Sequence, residues 1–197
     1  MTSAPNDDAR AVLDFWFGAP GSATDGKPRD EWFRKSDAFD RTIERRFAPL
    51  IESALAGGLR GWDGQADTAL ARILLLDQFT RNVFRDTPRA FAGDARALAA
   101  AQVLVADGRD LALPPQQRAF AYLPFEHAED LAMQDESVRL FTRLHAETQG
   151  FAGSLDYAQR HRAIIERFGR FPHRNAILDR PSTAEERAFL QQPGSSF

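Results

Sequence analysis

Ala66-Asp67-Thr68-Ala69-Leu70-Ala71-Arg72-Ile73-Leu74-Leu75-Leu76-Asp77-Gln78-Phe79-Thr80-Arg81-Asn82-Val83-Phe84 contains neither glycine nor proline. Its apolar residues recur at helical spacing, which predicts a helix from about Ala66 to Phe84. The centre, Ile73 to Leu76, is apolar on every side. A surface helix needs a polar face, so a helix without one belongs in an enclosed position among other elements. Thr87-Pro88 closes the run, because the residue before a proline is driven out of the helical region.

Helical periodicity continues on both sides, and no stretch alternates as a strand would. Upstream, Ser36 is placed to cap a helix carrying Phe39, Ile43, Phe47, Leu50 and Ile51, which Gly57-Gly58 ends. Pro49 within it predicts a kink or break. Asp7 or Asp8 is expected to cap a first helix with Val12, Phe15 and Trp16 on one stripe. Gly18 to Pro28 reads as a loop, and Trp32 and Phe33 as the anchor at its exit. Downstream, Ala95 to Ala106 is Ala-rich and ends at Gly108. Pro114-Pro115 opens a helix expected to reach Met133, with Pro124 inside it. Val138, Phe141, Leu144 and His145 mark another. Ser154 is expected to cap a helix with the stripe Ala158, His161, Ile164, Ile165 and Phe168, stopped by Gly169. Ser182 with Glu185 reads as a capping box for a last short helix. These are about eight helices joined by short turns, so consecutive ones should pack as antiparallel hairpins. No 34-residue repeat and no linker interrupts the pattern, so residues 1–197 are expected to form a single helical domain.

Composition narrows the function. The chain has 197 residues, 43% of them hydrophobic, with 16 Phe and 3 Trp, enough for a sizeable core. Its net charge of -3 argues against a general nucleic-acid binder, which needs a basic surface. The absence of cysteine excludes disulfides, thiolate catalysis and Cys-ligated zinc. Met1 to Arg10 is polar, unlike a signal peptide, and the longest apolar run, Ile73 to Leu76, is far too short for a membrane span. The expectation is a cytoplasmic protein with no membrane partner. Neither a phosphate-binding glycine loop, a nucleophile elbow nor a dinucleotide fingerprint is present, so no cofactor is expected.

Three segments carry chemistry. In the first, Leu76 to Arg85, the residues Asp77, Arg81 and Arg85 share one helix face, with Gln78 and Asn82 beside them. Polar groups on an enclosed helix need partners. One reading is an internal Asp77-Arg81 pair, and the other is Arg81 or Arg85 as a bidentate donor to an anion. The second, Ala121 to Asp130, places Glu126, His127, Glu129 and Asp130 just after Pro124. An imidazole beside carboxylates suits general acid–base work, which makes His127 and Glu129 the catalytic candidates. It is also ordinary helix-surface composition. In the third, His161 falls on an apolar stripe, and Arg170, His173, Arg174 and Asn175 form a donor-rich loop able to receive a carboxylate or phosphate. Alternatively, Arg170 and Arg174 cap helix C-termini. The histidines lack the i, i+4 spacing of a zincin helix, so no metal is expected.

The same segments resemble the bacterial domain-of-unknown-function 924 family. Leu76-Asp77-Gln78-Phe79-Thr80-Arg81-Asn82-Val83-Phe84-Arg85, Tyr122-Leu123-Pro124-Phe125-Glu126-His127-Ala128-Glu129-Asp130 and His161 through Asn175 carry the resemblance. Val12-Leu13-Asp14-Phe15-Trp16-Phe17 and Trp32-Phe33 extend it over nearly the whole chain. Serine is common in the family where Ala128 stands, which argues against a hydroxyl nucleophile there. The resemblance implies a tetratricopeptide-like right-handed superhelix and no settled activity.

Three functional readings follow. In the first, Asp77, Gln78, Arg81, Asn82, Arg85, His127, His161, Arg170, His173 and Arg174 line a pocket for a small anionic ligand, a carboxylate or phosphate, with catalysis open. The second is a module that binds a peptide or protein in a groove between stacked helices. In the third, the polar motifs are only an internal network.

Overall fold

The computed structural model describes residues 5–195, and every regular element among them is helical. The start of the polar N-terminal stretch, residues 1–4, lies outside the described residues. Eight helices follow one another: α1 (Pro5–Phe17), α2 (Asp37–Leu55), α3 (residues 66–83), α4 (Asp94–Ala106), α5 (Pro115–Glu126), α6 (Leu131–Glu147), α7 (Ala152–Phe168) and α8 (Ala184–Phe189). None is long and apolar enough to cross a membrane. The chain divides into two compact units, one ending at Pro124 apart from Asp86–Pro88, the other made of those three residues and the chain from Phe125 onward.

In the first unit α3 is the central element, as its all-round apolar sequence requires. Leu70, Ala71 and Ile73 to Leu76 are 0% exposed. Ala66–Leu74 passes through a single π-helical turn, Leu75–Phe79, into Thr80–Val83. Such a turn inserts one residue and breaks the regular ladder. Here its carbonyls find side-chain donors: Thr80 Oγ1 donates to Leu76 O (2.8 Å), and Arg81 donates to Asp77 O (2.8 Å). Gly93, just before α4, lies so close that a Cβ there would stand 2.1 Å from Leu76 O. Only glycine permits that approach. Aromatic rings fill the surrounding space. Trp16 of α1 lies 5.4 Å from Phe79, 5.6 Å from Phe120 and 6.2 Å from Trp32, centroid to centroid. Burying each such side chain contributes roughly 1.5–3 kcal/mol.

In the second unit α6 and α7 form a hairpin across a short loop. Leu140, Phe141, Leu144, Ala158, Ile164 and Ile165 make its core, with Phe168 and Phe189 packed against Ile164, Ile165 and Phe171.

Several local expectations are corrected. Pro49 does not break α2. It sits on the exposed face, where water can satisfy the carbonyl it strands. Asp7, Asp8 and Ser154 fall inside the first turns of α1 and α7 rather than at their caps. Phe33 is 77% exposed, so of the two aromatics Trp32 is the buried anchor, donating Nε1–H to Trp16 O at 3.0 Å, and Arg29 assists by donating to Phe15 O at 2.7 Å. The helix expected to reach Met133 stops at Glu126, and a new one starts behind Asp130, whose Oδ1 accepts Met133 N–H at 3.0 Å. The final capping box uses Thr183 and Glu186, one residue later than expected.

Candidate functional site

The polar residues singled out in sequence fall into both units. In the first, Asp77 is 0% exposed and Arg81 is its partner, with Nη1 3.0 Å from Asp77 Oδ1. Both terminal nitrogens of Arg81 also donate to Asp94, at 3.0 and 3.1 Å. Burial opposes the Arg81 charge, and the two carboxylates overcome that opposition and raise its pKa. Gln78 donates to Asp77 Oδ2. Asn82 Nδ2 donates to Asp40 Oδ1 at 2.6 Å, and Arg85 Nη2 to Asp40 Oδ2 at 3.1 Å. Asp40 also lines a hollow of about 210 Å³ with Asp37, Arg41, Glu44 and Val83. Three carboxylates line that hollow with one guanidinium, and Arg85 engages one of the three, Asp40, so its lining stays net acidic and disfavours anions.

The second unit gathers a different group. Glu126 and His127 stand at the end of α5, His161 comes from α7, and His173 and Arg174 from the short 3-10 segment Pro172–Arg174. The His127 and His161 rings are 6.3 Å apart, His161 lies 5.5 Å from Phe171, and Phe171 lies 5.6 Å from His173. The Arg174 guanidinium, on a residue only 6% exposed, covers the Phe171 ring at 4.5 Å, a cation–π contact.

The His161 geometry defines the chemistry. Its Nδ1 lies 2.9 Å from Tyr157 O. A carbonyl only accepts, so Nδ1 carries the hydrogen and Nε2 is the acceptor end of the ring. Glu126 Oε1 approaches the same Nδ1 at 3.5 Å. Burial pushes the His161 pKa down from 6.5 to about 3, and the charges of His127, Arg174 and His173 add to the depression against the Tyr157 hydrogen bond. His161 is therefore neutral at pH 7, with the Arg174 cation in its neighbourhood and the Glu126 carboxylate beside its Nδ1.

Around this cluster two ion pairs hold the loop. Arg170 is engaged by Glu186: its Nε and Nη2 donate to that carboxylate at 2.6 and 2.8 Å, and Nη2 also donates to Pro181 O. That grip, against burial and with the Thr183 N–H, lowers the Glu186 pKa to about 2. Glu129 accepts Phe171 N–H at 2.8 Å and both arms of Arg180 at 2.6 and 2.9 Å. Burial raises the Glu129 pKa, but these donors outweigh it and the net shift is downward. On the other side, Gln134 Nε2 donates to the carbonyls of Glu126 (2.7 Å) and Ala128 (2.8 Å), bracketing His127.

Sequence reasoning missed the partners Asp40, Asp94, Arg180, Glu186 and Gln134. Most stand 13 to 51 residues from the groups they bind, and a single acidic or basic residue at that distance carries no local pattern. Among the described residues no group of three or more His, Asp or Glu side chains is arranged to hold a metal ion.

No curated protein matches the chain. A solved structure of a protein of unknown function from Agrobacterium tumefaciens is similar to it, with 41% sequence identity, a TM-score of 0.84, and coverage of 95% of this chain and 99% of that one. The family description "Bacterial protein of unknown function (DUF924)" matches residues 12–194. With that match spanning nearly its whole length, the chain belongs to the DUF924 family of bacterial proteins.

Proposed function

We propose that the protein binds a small anion, a carboxylate or phosphate, at the cluster of His127, His161, His173 and Arg174. The observation that carries this reading is the gathering of three imidazoles and a buried guanidinium from three separate segments of one unit. Burial is the main cause of the lowered His161 pKa, and a bound anion offsets the smaller part that comes from His127, Arg174 and His173. Arg174 supplies planar, fixed donors and the imidazoles supply directional ones. Of the two acid–base candidates, His127 stands within the cluster and is half-buried. Glu129, clamped as a carboxylate by Arg180, is left with structure rather than proton transfer.

In the same reading Asp77, Gln78, Arg81, Asn82 and Arg85 form an internal network of the first unit. The observation favouring that role is the closure of Arg81 on Asp77 and Asp94 and of Arg85 on Asp40. Arg170 likewise serves Glu186.

A thermal-shift series with phosphate, sulfate, citrate and succinate tests the site. Ligand at about a hundred times its Kd adds ~2.7 kcal/mol, and each kcal/mol moves Tm by roughly 2–4 °C for a chain of this size. At least one of these anions should raise Tm by several degrees in wild type and leave His173→Gln unmoved. Equal shifts in both proteins, or none in wild type, would overturn the reading.

A further inference from the structure

We propose that Glu129 is the positioning residue of this anion site, fixing the turn that carries His173 and Arg174; the assignment rests on the anion reading above. The turn begins at Phe171, and both of that residue's backbone polar groups are held. Its N–H donates to Glu129 Oε1 at 2.8 Å, and its carbonyl accepts from Arg180 Nη2 at 3.2 Å. Arg180 is in turn locked on Glu129 through two arms, at 2.6 and 2.9 Å, and donates through Nε to Asn175 Oδ1 at 3.0 Å. Glu129 and Arg180 thus grip the residues on either side of His173-Arg174. Phe171, itself 0% exposed, is the ring on which Arg174 rests and beside which His161 and His173 lie. Moving Phe171 moves the turn with His173 and Arg174 and the ring beside His161, and donor sets lose affinity when their supporting contacts loosen.

The Coulomb effect of Glu129 on an anion runs the other way. It is a negative charge beside the site, so by charge alone Glu129→Gln should tighten anion binding. Positioning requires the opposite, which makes the sign of the change decisive.

The experiment is a calorimetric titration of wild type, Glu129→Gln and Arg180→Lys with inorganic phosphate, alongside amide hydrogen exchange at residues 171–175. Arg180→Lys preserves charge and removes the two-armed grip, and it decides the question if Glu129→Gln does not fold. The expected result is phosphate affinity lowered about tenfold, the scale on which losing an outer-shell partner acts, with faster exchange at residues 171–175 and a native far-UV spectrum. Affinity unchanged or increased in folded Glu129→Gln overturns the proposal. Wild type that takes up no phosphate, sulfate or carboxylate, with its native spectrum intact, overturns the anion reading itself.

Discussion

At the residue scale the sharpest case is Arg81. Its guanidinium neutralises Asp77, a carboxylate with no solvent exposure, while remaining 21% exposed itself and also gripping Asp94. Removing one partner of a buried pair strands the other, which costs about 3–5 kcal/mol. Arg81→Ala is therefore expected to lower the urea unfolding free energy by ~3 kcal/mol, and Arg81→Ala with Asp77→Asn should recover part of that loss. A change within ~0.5 kcal/mol would show that the pair does not hold α3. The need for a partner was legible in the sequence, because Asp77 follows an all-apolar turn. Asp94 was not, because it lies 13 residues away beyond a turn whose geometry depends on Gly93. His161 was placed inward by its stripe alone and is 4% exposed. Its tautomer follows from a carbonyl four residues back, a contact that sequence spacing permits without requiring.

At the element scale, helix positions were readable and helix ends were less so. The reason lies in competition between signals. Ser182-Thr183-Ala184-Glu185-Glu186 holds two overlapping capping boxes. Thr183 with Glu186 prevails because Glu186 also receives Arg170, while Ser182 Oγ accepts from Asn175 Nδ2 at 3.1 Å. Asp130 likewise read as one polar residue among several until its capping of Met133 ended one helix and began the next. The π-helical turn in α3 left no mark in the periodicity, since the residues leading into it, Ile73 to Leu76, are apolar on every side and set no phase. Its imprint is Gly93. Because the obstructing atom is a backbone carbonyl, Gly93→Ala must displace α4 from α3, and overpacking of this kind costs about 1–3 kcal/mol. Gly153, in the first turn of α7, has nothing within 4 Å of its missing Cβ, so Gly153→Ala should be neutral or mildly stabilising. Parallel denaturant titrations check both; equal stability of the two variants would mean the close approach at Leu76 is not maintained in solution.

At the scale of the whole molecule, the all-helical class was legible from periodicity and composition, and membership of the family agrees with the motifs read in the chain. The donor-rich residues were expected as one group. They divide between the two units: the α3 residues close on carboxylates within the first, while the imidazoles gather with Arg174 in the second. Sequence showed which side chains were chemically able to serve an anion, and the ion pairs of Arg81, Arg85 and Arg170 assign those three to Asp94, Asp40 and Glu186. The chain has four histidines, and His145, exposed near the end of α6, lies outside the cluster. It is a built-in control. The most direct measurement is a nitrogen–proton NMR spectrum of the imidazoles recorded at pH 7 through a titration with inorganic phosphate. The signals of His127, His161 and His173 should move together and saturate while His145 stays in place, with His161 neutral and its proton on Nδ1 at the outset. Four histidines drifting alike without saturation, or His161 already protonated before phosphate is added, would contradict the account.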